Sequence, residues 1–205
     1  MEKPKVPTDD TPRPLIHPYT IFMVLILGGI TILFISFSGA YLYSRIENQN
    51  PPIQLPIIFV FNTMLLLGSS ACIIWAKKSY LADNTKNYIK ALKATIVLTI
   101  LFMIFQGIGW YQLLTGNMGI ASSNAAGYLH IISIVHFIHI IAGLPFLIIF
   151  LRTAIQRMKE PVSVLVYFSD PEKALKLKLL TWYWHFLDIL WVYLVLFFWV
   201  NYLVG

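Results

Sequence analysis

Trp182-Tyr183-Trp184-His185-Phe186-Leu187-Asp188-Ile189-Leu190-Trp191 lies inside the last of five long apolar segments, and Asp188 is the only carboxylate in any of them. An acid at the centre of a membrane helix costs about 3 kcal/mol or more on insertion scales, so its presence asks for a packing or functional reason. Trp184, Asp188 and Trp191 are spaced i, i+4, i+7 and share one helix face. His185 stands three residues before Asp188, within reach as an i, i+3 neighbour. The plainest reading is a hydrogen-bonded pair that locks helices together, since intramembrane polar groups serve packing as well as transport.

Outward from that segment, uncharged runs long enough to cross hydrocarbon occur at residues 19–43, 53–76, 94–114, 128–151 and 179–204. They are too long for membrane strands and lack polar/apolar alternation. The expected fold is all-α: a single five-helix transmembrane domain over residues 18–205, preceded by a disordered cytoplasmic tail over 1–17. Basic residues set the orientation. The tail and the segments Lys77–Lys93 and Arg152–Lys178 hold 14 of the 15 Lys and Arg, and the opposite side holds only Arg45. The positive-inside rule then predicts a cytoplasmic N-terminus and a periplasmic C-terminus. Asn84-Thr85 and Ser169-Asp170-Pro171-Glu172 read as helix starts. Pro161 ends the fourth helix at or before Glu160, and Pro145 is expected to bend it.

Composition narrows the function. Of 205 residues, 58% are hydrophobic and 12% charged, which suits a bilayer as solvent. A single Cys, Cys72, leaves no internal disulfide and no multi-cysteine metal site. The net charge of +6 reflects topology, and no basic-aromatic patch suggests nucleic acid. The tail has no apolar core of a secretory signal.

The intramembrane polar residues are few. His136 and His139 lie mid-span, and together with His185 they raise the thought of a haem or metal site. No complete ligand set accompanies them, so structural histidines satisfied by hydrogen bonds are the better reading. Asn62, with Ser69-Ser70 and Gly68, and Gln106, with Gly107 and Gly109, read as helix-packing surfaces, as do Gly28-Gly29 and Gly39-Ala40. No activated nucleophile, phosphate loop or carboxylate pair is present. Nor is there an internal repeat, which argues against a small autonomous transporter built on inverted halves.

Taken together these residues resemble subunit III of the haem-copper oxidases, the cytochrome c oxidase subunit 3 family. The resemblance rests on four segments: Gly39-Ala40-Tyr41-Leu42-Tyr43-Ser44-Arg45; Leu55-Pro56, Asn62-Thr63, Ser69-Ser70 and Trp75-Ala76; His136-Phe137-Ile138-His139 with Ala142-Gly143; and Tyr183-Trp184-His185-Phe186-Leu187-Asp188-Ile189-Leu190-Trp191. The chain is similar to the five-helix bacterial short form, which lacks the first two helices of the long form. Two acids of the family pattern are absent: Ile30 and Gly109 stand in their places.

The resemblance implies an accessory, non-redox subunit without catalytic residues of its own, in a terminal oxidase that reduces oxygen to water and pumps protons. Haem and copper would sit in partner subunits, with subunits I and II as neighbours, within a respiratory chain that extends to larger supercomplexes. This chain would stabilise subunit I, support proton uptake and retain phospholipid, with no metal or cofactor of its own. The expected polar core, or lipid-contact set, is Asn62, Trp75, Gln106, His136, His139, Trp184, His185 and Asp188. The implied location is a bacterial inner membrane. The alternatives are subunit III of a quinol oxidase, the accessory protein of nitric oxide reductase and, in a different class, an autonomous transporter.

Overall fold

The computed structural model describes residues 17–48, 53–116, 119, 122–158 and 160–204. Apart from His17, the expected tail lies outside the described residues. Six helices follow one another: α1 (Pro18–Glu47), α2 (Ile58–Leu81), α3 (Thr85–Thr115), α4 (Asn124–Arg157), α5 (Pro161–Phe168) and α6 (Pro171–Val204). Five of them, all but α5, are long and apolar enough to cross a bilayer. The described residues contain no strand.

Local chemistry sets the helix starts. Asn84 caps α3 by accepting from the Asn87 N–H, and the Ser123 hydroxyl accepts from the Ala126 N–H at the head of α4. Asp170 Oδ1 accepts from the N–H groups of Glu172 and Lys173, and Pro171 opens α6 as expected. Between α2 and α3 only Ala82, Asp83 and Asn84 intervene. Asp83 makes the reversal with φ 51°, a left-handed conformation that Asp tolerates better than most residues. This tight link forces α2 and α3 to lie side by side and antiparallel.

The helices run past the apolar spans. What reads as a basic loop at residues 77–93 is mostly the end of α2 and the start of α3. The segment 152–178 contains a further helix, α5, which span-length reasoning does not anticipate. Glu160 is extended (φ −109°, ψ 144°), as a residue before proline prefers, and a proline at the first position starts the new helix.

Packing is uneven. α2 pairs with α3, and α6 contacts α2 and α4, while α3 also leans on α4. α1 meets mainly α4 and, to a lesser extent, α6. The core divides into two layers. One is centred on Phe34, Phe102, Ile132 and Trp191; the other, nearer the basic end, on Tyr80, Tyr88, Tyr167 and Trp184.

Candidate functional site

The face of α6 marked by Trp184, Asp188 and Trp191 is buried, with these three side chains 2%, 4% and 1% exposed. It reads against α2. Trp184 Nε1 donates to Ser69 Oγ at 3.1 Å, and Trp191 Nε1 donates to Thr63 Oγ1 at 3.2 Å. His185 Nδ1 and Ser70 Oγ are 2.7 Å apart. Asp188 lies one turn further along α6, and its Oδ2 has no protein partner. Because the helices are antiparallel, positions descending on α2 meet positions ascending on α6. The result is a polar seam running through an otherwise apolar interface.

The seam corrects one expectation. His185 does not pair with Asp188 within α6; its partner is Ser70, across the interface. A serine hydroxyl can donate or accept, so Ser70 meets either tautomer of His185 from outside its helix.

α3 and α4 extend the network. Asn62 and Gln106, 0% and 1% exposed, pair through Asn62 Nδ2 and Gln106 Oε1 at 2.9 Å. Ser69 Oγ also approaches Thr99 Oγ1 at 3.5 Å. Trp110 Nε1 donates to Ser133 Oγ at 2.9 Å, linking α3 to α4. Tyr183 Oη donates to the His139 carbonyl at 2.8 Å, one turn before Gly143. A Cβ on Gly143 would come 2.7 Å from Tyr183 Cε1 and 3.0 Å from Trp184 Cζ3, so only glycine lets α4 press this closely on α6. The fit at Gly109, between α3 and α2, is close but less severe: a Cβ would meet Phe59 Cε2 at 3.0 Å, which a small shift of that ring relieves.

The two histidines of α4 part company. His139 Nδ1–H donates to the Val135 carbonyl at 2.7 Å, as a satisfied structural histidine should. His136 is fully buried and neither of its ring nitrogens has a protein partner. It sits in an aromatic box, tilted on Trp191 with ring centroids 5.1 Å apart, and edge-on to Phe102 at 6.3 Å and Phe34 at 6.4 Å. The expectation of a satisfied histidine therefore fails for His136. Among the described residues, no group of three or more His, Cys, Asp or Glu side chains converges as metal ligands would.

Trp75, expected in the polar core or in contact with lipid, is 41% exposed on the outer surface of α2. Sequence reasoning in turn undervalued Ser69, Ser70, Thr63 and Tyr183. A signal was present, because the hydroxyls of α2 recur at six to seven residues, the interval that separates Trp184 from Trp191.

A second feature is a cleft of about 630 Å³ between α1, α4 and α6. Its walls are apolar (Phe22, Ile26, Ile30, Ala142, Phe146), and Tyr19 and Lys176 stand at one end. The Lys176 ammonium lies 5.9 Å from the centre of the Tyr19 ring.

The architecture defines a multi-pass helical membrane protein whose polar residues serve helix contacts. Residues 21–202 match the family described as cytochrome c oxidase subunit III, and the chain belongs to that family. It is similar to "Cytochrome c oxidase subunit 3" of Triticum aestivum, 31% identical over 144 residues, covering 70% of this chain and 48% of that protein. The proteins of the same name from Scyliorhinus canicula and Osphranter robustus are 26% and 28% identical over 190 residues, covering 84% of this chain and 65% of theirs. The chain thus spans roughly half to two-thirds of the length of these relatives.

Proposed function

We propose that this chain is an accessory, non-redox subunit of a terminal haem-copper oxidase, a cytochrome c oxidase of a bacterial inner membrane. In this reading its domain is the five-span bundle over residues 18–205, with the basic end cytoplasmic. It packs beside the catalytic subunit I and subunit II, which carry haem and copper. It stabilises subunit I, supports proton uptake and retains phospholipid. The observation that carries the reading is the α2–α6 seam. Every polar group of the Tyr-Trp-His-Phe-Leu-Asp segment that finds a partner uses it to hold a neighbouring helix, which is the work of a scaffold.

The cleft between α1, α4 and α6 supports lipid retention. Its apolar walls suit acyl chains, and the Lys176 ammonium at one end, which also pairs with Glu172 at 2.7 Å, stands where a headgroup would lie. Asp188 contributes structure: it is buried on the α6 face that also carries Trp184 and Trp191.

Purification of the tagged chain from native membranes in mild detergent, with mass spectrometry and a visible spectrum, tests the reading. Subunits I and II should accompany it, and the haem absorbance should leave when this chain is stripped away. A colourless chain that comes down alone would overturn the proposal. Asp188→Asn should leave initial oxygen reduction near normal while hastening loss of activity during turnover. Complete inactivity in a fully assembled Asp188→Asn complex would place the carboxyl on an essential proton route instead.

A further inference from the structure

α5 presents two unlike faces. On one, Tyr167 is 2% exposed and packs against Tyr80 and Tyr88, with ring centroids 6.1 Å and 6.5 Å away. Tyr80 Oη donates to the Tyr167 carbonyl at 3.1 Å, which pins the helix to the end of α2. On the other face Val162, Leu165 and Val166, spaced i, i+3, i+4, are 73%, 66% and 63% exposed. Three large aliphatic side chains in one stripe is an arrangement that water does not favour.

Depth identifies what covers the stripe. The uncharged run of α2 ends at Ala76 and Tyr80 lies four residues beyond it, about 6 Å along the helix. The headgroup zone of a bilayer is about 5–7 Å thick on each side. Through its contact with Tyr80, α5 therefore stands at headgroup level, alongside the membrane rather than above it. The aromatic girdle agrees: Trp182 and Tyr19, both partly exposed, each lie beneath a lysine ammonium, Lys178 at 4.9 Å and Lys176 at 5.9 Å.

Charge points the same way. The described residues at this end, from Lys77 to Lys93 and from Arg152 to Lys178, hold ten Lys and Arg against four acids. Some are internally engaged, Lys173 with Asp170 at 2.9 Å and Lys176 with Glu172 at 2.7 Å. Beside the apolar stripe a groove of about 470 Å³ is lined by Arg157, Glu160, Val162, Ser163, Val166 and Lys173. An apolar stripe flanked by an excess of cations is the pattern of a helix that lies in an anionic membrane surface.

We infer that α5 is a membrane-surface anchor whose Val162, Leu165 and Val166 face enters the acyl boundary of the leaflet on the basic side, beside anionic phospholipid headgroups. The occupant is lipid, and the inference stands on the spans alone, whichever complex the chain joins. A surface helix wedged between the ends of α4 and α6 fixes the height at which both enter the bilayer, a role distinct from filling the cleft near Tyr19.

The test is a nitroxide at Leu165→Cys in a Cys72→Ser background. The full complex is reconstituted into vesicles of phosphatidylcholine and phosphatidylglycerol, with Lys86→Cys as the water-facing reference. The label should collide freely with oxygen, and with a water-soluble nickel chelate several-fold less often than the reference does. Frequent collision with the chelate would show the stripe facing water, and weak collision with both would show a protein partner covering it; either overturns the inference. Val162→Cys gives an independent reading should the Leu165 variant fail to assemble.

Discussion

α1 and α6 are both membrane spans, and they are built in opposite ways. α1 is the more apolar of the two, yet only 11% of its apolar core segment is buried within the protein, against 33% for α6. Gly28, Gly29 and Gly39 on α1 have nothing within 4 Å of where a Cβ would stand, whereas Gly143 on α4 is pressed against Tyr183 and Trp184 of α6. In lipid, apolar surface is no reason to associate, because acyl chains solvate it as well as another helix does. Helix contacts are settled by close fit and hydrogen bonds, and α6 carries both.

The comparison is broken most severely at Gly143. Gly143→Leu should destabilise the bundle by about 3 kcal/mol, at the upper end of overpacking costs. Gly29→Leu on α1 should stay within about 0.5 kcal/mol, as open-surface substitutions do. Denaturation of the two variants in detergent checks the pair, and equal effects would mean that the open face of α1 is also a contact.

Next comes the buried amide pair. Asn62→Leu leaves Gln106 without its partner and should cost about 1–3 kcal/mol. Asn62→Leu with Gln106→Leu together should recover much of that loss, since two apolar partners leave nothing unsatisfied. If the double variant is worse than the single, the pair does more than hold helices.

A smaller effect sharpens the account of the seam. A double-mutant cycle between Trp184→Phe and Ser69→Ala should give a coupling of about 0.6 kcal/mol, the average for hydrogen bonds inside membranes. A coupling near zero would reduce the seam to shape alone.

A last effect lies outside the membrane. The Lys173 side chain, with help from the N–H groups of Lys173 and Glu172, holds the Asp170 carboxyl below its ordinary value of 3.8. A depressed carboxyl contributes stability that is complete above that ordinary value and is lost as pH falls through the lower, folded one. Asp170→Ala should therefore be slightly less stable than the parent at neutral pH, and thermal melts of the two should converge in strong acid.

Much of this molecule could be read directly. The five spans, the cap at Asn84 and the start of α6 at Pro171 follow from length, apolarity and local hydrogen bonding, which act over a few residues. The burial of Trp184, Asp188 and Trp191 follows from their shared helix face. The partners did not follow. His185 and Asp188 are neighbours along the helix, yet Ser70 on another helix takes the hydrogen bond. For Trp75 the sequence left polar core and lipid contact open, and the structure turns its side chain outward. His136 looked like a hydrogen-bonded histidine and stands in an aromatic box. α5 was missed because a search for spans ignores a helix too short to cross.

The sequence by itself determined that this chain crosses a membrane five times, which end is basic and which family it belongs to. Each of these is a property of composition, order and short-range geometry. Only the tertiary structure decided which hydroxyl meets which indole, which glycine admits a neighbouring helix and which aliphatic stripe is left uncovered. Those outcomes depend on contacts between residues up to 128 positions apart, as with Thr63 and Trp191, and the rotation of one helix against another fixes them after the spans have formed.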